Sequence, residues 1–302
     1  MKKLIIAAAL ISSAAATKAQ QLQSSSFYDM QAVLQNPGLA GVHQQEDIKG
    51  VIGVTYRQQW SNISGAPKTM TAFGSFELPK HKAGVGAYIY NDKTGPTSRT
   101  GLALQFAKHI RFADGGNFSL GLEARMQQYS LDMDKLSGAL GPNDPVLASK
   151  DNRMKFDAGF GIGYTNKKWQ LGASVSQLVQ SKLDVYTGNL SRNEEAKLYR
   201  HYYFTGRYNW EVDGSTVLQP NVQVIYLPNA PTEVTGGVRV EHNKTIWWGL
   251  GYRSTQSWML SAGLNIHQKF SLGYAFDIYT APINSFDGGH NAHEFLLRFN
   301  FK

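Results

Sequence analysis

The sequence of 302 residues predicts an all-β protein, a transmembrane outer-membrane β-barrel of about 14 antiparallel strands. Three observations lead there. From Lys49 onward apolar and polar residues alternate with period two, which sends successive side chains to opposite faces of a strand. The segments so patterned number fourteen, an even count, and most run 9–13 residues, close to the ~9–11 that a tilted strand needs to cross a bilayer. Short connections alternate with longer ones, as in barrels whose periplasmic turns are tight and whose outer loops are long.

The chain opens with Met1-Lys2-Lys3 and the apolar run Leu4 to Ile11, too short to span a membrane, then the small-residue stretch Ser12 to Ala19. This is an export signal over residues 1–19 with cleavage after Ala19. Removing Lys2, Lys3 and Lys18 with it lowers the net charge from +8 to +5, and no Lys/Arg tract interleaved with aromatics remains to bind nucleic acid. Residues 20–47 form an N-terminal periplasmic or plug-like segment, and 48–302 form the barrel. Strands are expected near 49–60, 68–78, 82–91, 99–110, 117–129, 154–165, 169–179, 198–212, 215–227, 232–242, 245–253, 258–267, 269–279 and 293–301.

The cleanest strand is Met154 to Tyr164: Met154, Phe156, Ala158, Phe160, Ile162 and Tyr164 share one face, and Lys155, Asp157, Gly159, Gly161 and Gly163 the other. The first face suits lipid and the second a lumen. With the N-terminus periplasmic, turns after even-numbered strands should be short, and Pro79-Lys80-His81, Asn166-Lys167-Lys168, Asp213-Gly214, Asn243-Lys244 and His267-Gln268 are. The longest connections, near 130–153, 180–197 and 280–292, all follow odd-numbered strands. Trp60, Trp169, Trp210, Trp247, Trp248 and Trp258 fall near strand ends, the position of interfacial girdles. The final strand puts Phe295, Leu297, Phe299 and Phe301 on one face.

Composition agrees. The mean hydropathy of −0.32 averages a lipid face against a polar one. Absence of cysteine removes disulfide frameworks, thiolate metal sites and Cys nucleophiles. Gly159-Phe160-Gly161-Ile162-Gly163 lacks the strand-turn-helix setting of a phosphate loop, so lumen-facing small residues explain it better. His290-Asn291-Ala292-His293-Glu294 matches no zincin order. No Ser/His or Asp/His constellation stands out, so no catalytic, metal-binding or cofactor-binding residue is expected and no enzyme activity. Arg57, Glu123, Arg125 and Arg207 lie on polar strand faces, where a salt-bridged lumen accounts for them.

The segment before the first strand goes beyond a plain porin, with Phe27-Tyr28-Asp29-Met30 and then Leu34-Gln35-Asn36-Pro37-Gly38-Leu39-Ala40-Gly41. After it come the run Arg57-Gln58-Gln59-Trp60 continuing to Gly65-Ala66-Pro67-Lys68-Thr69, then Gly84-Val85-Gly86 with Asn91-Asp92-Lys93-Thr94-Gly95, and Ala292-His293-Glu294 at the start of the last strand. Together they resemble the PorP/SprF family of type IX secretion system outer-membrane proteins. The departures are small: Gly38 where Ala is common, Ala292 where the family has Ser, and Lys302 after the terminal aromatic. The resemblance implies a non-enzymatic outer-membrane barrel that works with the type IX translocon or the gliding apparatus and binds the C-terminal domains of secreted, adhesin-like proteins, holding them at the cell surface. Its partners would be those domains, translocon components and outer-membrane lipid.

The family-motif residues Asn36, Pro37, Ala40, Gly41, Arg57, Trp60, Gly65, Pro67, His293 and Glu294 are structural by default and partner-docking in the alternative. Pro37 keeps Asn36 extended, Gly41 permits a tight bend, and Gly65-Ala66-Pro67 shapes the first outer loop over Trp60. The rival reading is an outer-membrane porin or fatty-acid-type transporter. An outer-membrane hydrolase is a weaker third.

Overall fold

A computed structural model describes residues 24–43, 47–140, 152–182, 198–228, 230–254, 257–280, 284–285, 288 and 291–302. The export signal, and in whole or part the long connections at 130–153, 180–197 and 280–292, lie outside them, as does His290.

Fourteen strands among the described residues form one closed antiparallel ring. They are β1 Gly50–Gln59, β2 Lys68–Leu78, β3 Ala83–Thr94, β4 Thr97–Arg111, β5 Asn117–Leu131, β6 Asn152–Thr165, β7 Trp169–Ser176, β8 His201–Tyr208, β9 Thr216–Tyr226, β10 Glu233–His242, β11 Ile246–Arg253, β12 Ser257–Ile266, β13 Phe270–Tyr279 and β14 Ala292–Phe301. β8 breaks at Asn209 and resumes over Trp210–Glu211, still paired with β9. Every strand pairs with its chain neighbour, and β14 returns to β1 with Arg57 opposite Glu294 and Gln58 opposite His293. Closure removes every sheet edge, which hydrocarbon requires because it offers backbone groups no partner.

The burial pattern is inverted relative to a soluble protein. Along β1 the exposed positions are Ile52, Val54 and Tyr56, while Thr55 and Arg57 are buried. Leu122 and Phe156 are each 64% exposed, whereas Asp277 and Glu294 are at 0% and 1%. The large apolar side chains form the lipid belt and the polar ones the interior. No helix among the described residues is long and apolar enough to cross a membrane; strands do the crossing.

All turns after even-numbered strands are tight, which assigns that end to the periplasm. At the other end, β3 and β4 run on to a two-residue turn at Gly95-Pro96, where a seven-residue loop was expected from the strand limits 82–91 and 99–110. Asn91 to Lys93 are polar on both faces, so this hairpin rises clear of the lipid belt. β4 and β5 have 15 residues each against 8 in β11, so one wall of the outer rim is tall. A helix, Met133–Leu140, follows β5 on that side.

Residues 24–43 lie inside the ring. Their partners are spread around the whole barrel: Phe27 meets Trp247, Val33 reaches Gln105, Gln35 reaches Ser174 and Gly41 reaches Ser75. Only a segment within the lumen can touch β2, β4, β7 and β11 at once. It enters at the outer end, where Gln59 donates to Ser24, and leaves at the periplasmic end, where Gly41 abuts Gly84.

Candidate functional site

The outer half of the lumen is built around Arg57. Alternation on β1 turns it inward, opposite Glu294 of β14, and its Nη2 donates to Asp277 Oδ2 of β13 at 2.6 Å while Nη1 donates to Glu294 Oε2 at 3.2 Å. The lumen segment completes the network. Ser25 Oγ and Ser26 N donate to the two Glu294 oxygens at 2.6 and 2.7 Å, and Ser26 Oγ accepts from Arg57 at 2.7 Å. Arg253 of β11 adds a bond to the Ser25 carbonyl at 3.0 Å and stands 3.5 Å from Asp277. Buried charges are tolerated only when paired and hydrogen-bonded, and here each is. The network latches the segment to β11, β13 and β14 and bridges the β1–β14 seam.

Deeper in, shape replaces charge. Asn36 Oδ1 accepts from Gly38 N at 2.8 Å, capping the short 3₁₀ turn Pro37–Leu39, and Nδ2 donates to the Ile162 carbonyl at 2.9 Å. The turn lies directly on strand backbone: a Cβ at Gly121 would stand 2.2 Å from the Pro37 carbonyl, and one at Gly161 would stand 2.0 Å from Asn36 Oδ1. The small residues of β5 and β6 are therefore a seat for this segment. Ala40 offers its carbonyl to His109 Nε2 at 3.0 Å, and Gly41, at φ +73°, donates to Ser75 Oγ at 2.8 Å.

Below the segment a vestibule of about 1010 Å³ opens at the periplasmic end. Asp29 projects into it and takes Arg239 in a two-pronged pair at 2.7 and 2.7 Å, with Arg239 lying over the Trp247 ring. Burial works against the Asp29 charge, but Arg239 and Arg207 outweigh it and hold the carboxyl below its ordinary range. Burial and the positive field of Arg298 push the His43 imidazole down to about 4. On the outer side the remaining void is only about 80 Å³.

The profile of the type IX secretion system membrane protein PorP/SprF family matches residues 16–299. The chain belongs to this family. It is thus an outer-membrane barrel associated with the type IX secretion system. No curated protein sequence matches it. Among solved structures, the CymD monoaromatic hydrocarbon channel aligns with TM-score 0.51 at 10% identity, covering 89% of this chain and 91% of that one. A TodX mutant monoaromatic hydrocarbon channel gives 0.47 at 9% over 89% and 94%, and a mutant of the Rh. blastica porin 0.34 at 8% over 84% and 99%. The first likeness shows a channel-like barrel fold and nothing about cargo.

The PorP/SprF motif residues fall into four places. Asn36, Pro37, Ala40 and Gly41 seat the lumen segment, and Arg57 and Glu294, 237 residues apart in the chain, meet at the seam. Trp60, Gly65 and Pro67 belong to the first outer loop: Trp60 packs on Tyr279 with ring centroids 5.9 Å apart, the Gly65 carbonyl accepts from Gly95 N at 2.7 Å, and that of Pro67 accepts from Gln59 N at 3.0 Å. His293 faces away from the lumen and shares a 2.7 Å bond with the Tyr274 hydroxyl.

Of the polar-face residues, Glu123 pairs with Arg125 at 2.5 Å and accepts from Gln105 at 2.6 Å, and Arg207 Nη1 reaches the Asp29 carbonyl at 3.2 Å. Arg239, Arg253 and Asp277 were not singled out from the sequence, and Asp29 only as part of the stretch Phe27 to Met30. Trp247 does not join the interfacial girdle: it is 1% exposed, turned inward against Phe27, while Trp248 beside it is 48% exposed to the lipid side. Adjacent strand residues point to opposite faces, so the Trp247-Trp248 pair could not both meet lipid.

Proposed function

We propose that this PorP/SprF barrel is a sealed, non-enzymatic platform of the type IX machinery. It receives the C-terminal domain of a secreted, adhesin-like protein and holds it at the cell surface beside the translocon. The observation that supports this reading is the lumen segment: from Ser26 to Gly41 it is bonded to strands on all sides, so the ring is used to position that segment and the outer rim above it. The tall β3–β6 wall, with its loop tie between Gly65 and Gly95, offers the relief a folded domain can dock against.

The test is capture of the detergent-solubilised barrel by candidate secreted C-terminal domains, paired with surface display in a strain lacking the gene. Specific capture and loss of display are expected; no capture together with normal display would sink the proposal. The rival, a porin or fatty-acid-type transporter, draws on the vestibule of about 1010 Å³ and the channel-like fold. Solute flux through the wild-type barrel in proteoliposomes would favour it.

A further inference from the structure

We propose that the periplasmic vestibule is a binding site for an acidic peptide segment that enters from the periplasm and lodges a carboxylate between Arg207 and Arg298. Nothing in the surface-display reading requires this site, and it stands if that reading fails.

The argument begins with charge. Arg207 on β8, Arg239 on β10 and Arg298 on β14 all point into the lumen at the floor of the vestibule, where their charges act on one another. Two carboxylates face them. Asp29 is taken up by Arg239 in the two-pronged pair. Glu241 makes no ion pair among the described residues, and its bond is from Asn265 Nδ2 at 3.4 Å. Arg298 donates Nε to the Asn300 carboxamide at 2.9 Å, and Arg207 donates Nη1 to the Asp29 main-chain carbonyl at 3.2 Å. Neither has a carboxylate within ion-pair distance among the described residues. Guanidinium forks match carboxylates bidentately, so this floor has capacity for an incoming anion.

The contrast with the rim sharpens the point. There the rim carboxylates are already taken: Glu77 pairs with Arg111 and Lys49, and Asp47 pairs with Lys302 at 2.7 Å, whereas Arg207 and Arg298 at the bottom have no such partner among the described residues. A guest must reach past the rim to meet them.

Two features select a peptide over a small anion. At about 1010 Å³ the space is at the upper end of the ~300–1,000 Å³ of small-molecule sites, far more than one phosphate occupies. The walls carry carboxamides, including Asn117, Asn209 and Gln219, a residue type with both a donor and an acceptor. A main chain presents N–H and C=O groups in alternation that use both along its length, whereas phosphate is a single compact anion that acts chiefly as an acceptor. Lipid headgroups are screened off by the strands themselves.

The experiment uses the full-length barrel in detergent micelles and a fluorescein-labelled peptide ending in three glutamates, with its glutamine counterpart. Fluorescence anisotropy should show saturable binding of the glutamate peptide only, weakened roughly tenfold to a hundredfold by Arg298→Gln or Arg207→Gln, the range of a charged hydrogen bond. Arg298→Lys should restore part of the loss. Heat-modifiable migration checks that each variant retains its barrel. Because the chain has no cysteine, a bulky maleimide on Asn166→Cys at the periplasmic mouth reports the route, and should block the probe. Equal binding of both peptides, or binding unchanged in both arginine variants and after blocking, overturns the proposal. Competition by inorganic phosphate at concentrations comparable to the peptide overturns the peptide assignment in favour of a small-anion site.

Discussion

The two poles of the lumen hold similar side chains in opposite states. At the outer pole Arg57 and Arg253 face Asp277, Glu294 and Glu233, and serine and backbone donors from the lumen segment fill the remaining acceptor sites of the buried acids. At the periplasmic pole Arg207, Arg239 and Arg298 face one engaged carboxylate, Asp29, and one, Glu241, that forms no ion pair among the described residues. Saturation makes the first a structural latch; under-saturation leaves the second with electrostatic work still to do.

The largest expected break in this contrast is Arg57→Met. Removing one partner of a buried ion pair typically costs about 3–5 kcal/mol, so urea unfolding of the barrel in lipid vesicles should shift to clearly lower denaturant. Next is Gly121→Val, which tests the shape-based seat between the poles. Side-chain atoms driven against the Pro37 backbone cost roughly 1–3 kcal/mol, and the expected signature is a rise in planar-bilayer conductance with the ring itself intact. Asn36→Ala removes the cap and the Ile162 bond and should cost about 1–2 kcal/mol, read as a smaller loss of stability without added conductance.

The mildest test is pH. The Asp29 carboxyl is held below its ordinary value of 3.8, so its contribution is full above that value and is lost as pH falls through the lowered one. Hydrogen exchange at Tyr28–Met30 should therefore quicken at low pH before that at Asn36–Gly41, whose bonds involve no carboxylate.

Much of the fold was legible because alternation is local: each of the fourteen strands could be read from its own residues. The site was legible in pieces. Arg57 and Glu294 were singled out by resemblance, but register between the first and last strands is set by ring closure, so local pattern could not pair them. Asp277 was missed although it is the one acid on the inward face of Phe270 to Tyr279. Trp247 was misplaced because proximity to a strand end was weighed without its parity. The seat of glycines was visible as room in the lumen and residues 20–47 as a periplasmic or plug-like segment, but no local pattern joined the one to the other.

The lumen segment runs lengthwise through the ring, and this has a consequence for the order of assembly. A ring that closed first would have to be threaded by its own free end. A curved sheet that lays the segment on its concave side and then zips β14 to β1 needs no threading. On that route Arg57 and Glu294, one on each seam strand, come together only in the last step, around a segment already in place. Ser25 and Ser26 then serve as a template for the final strand pairing, and a barrel closed without them would leave Glu294 without two of its three hydrogen-bond donors, with Arg57 alone remaining.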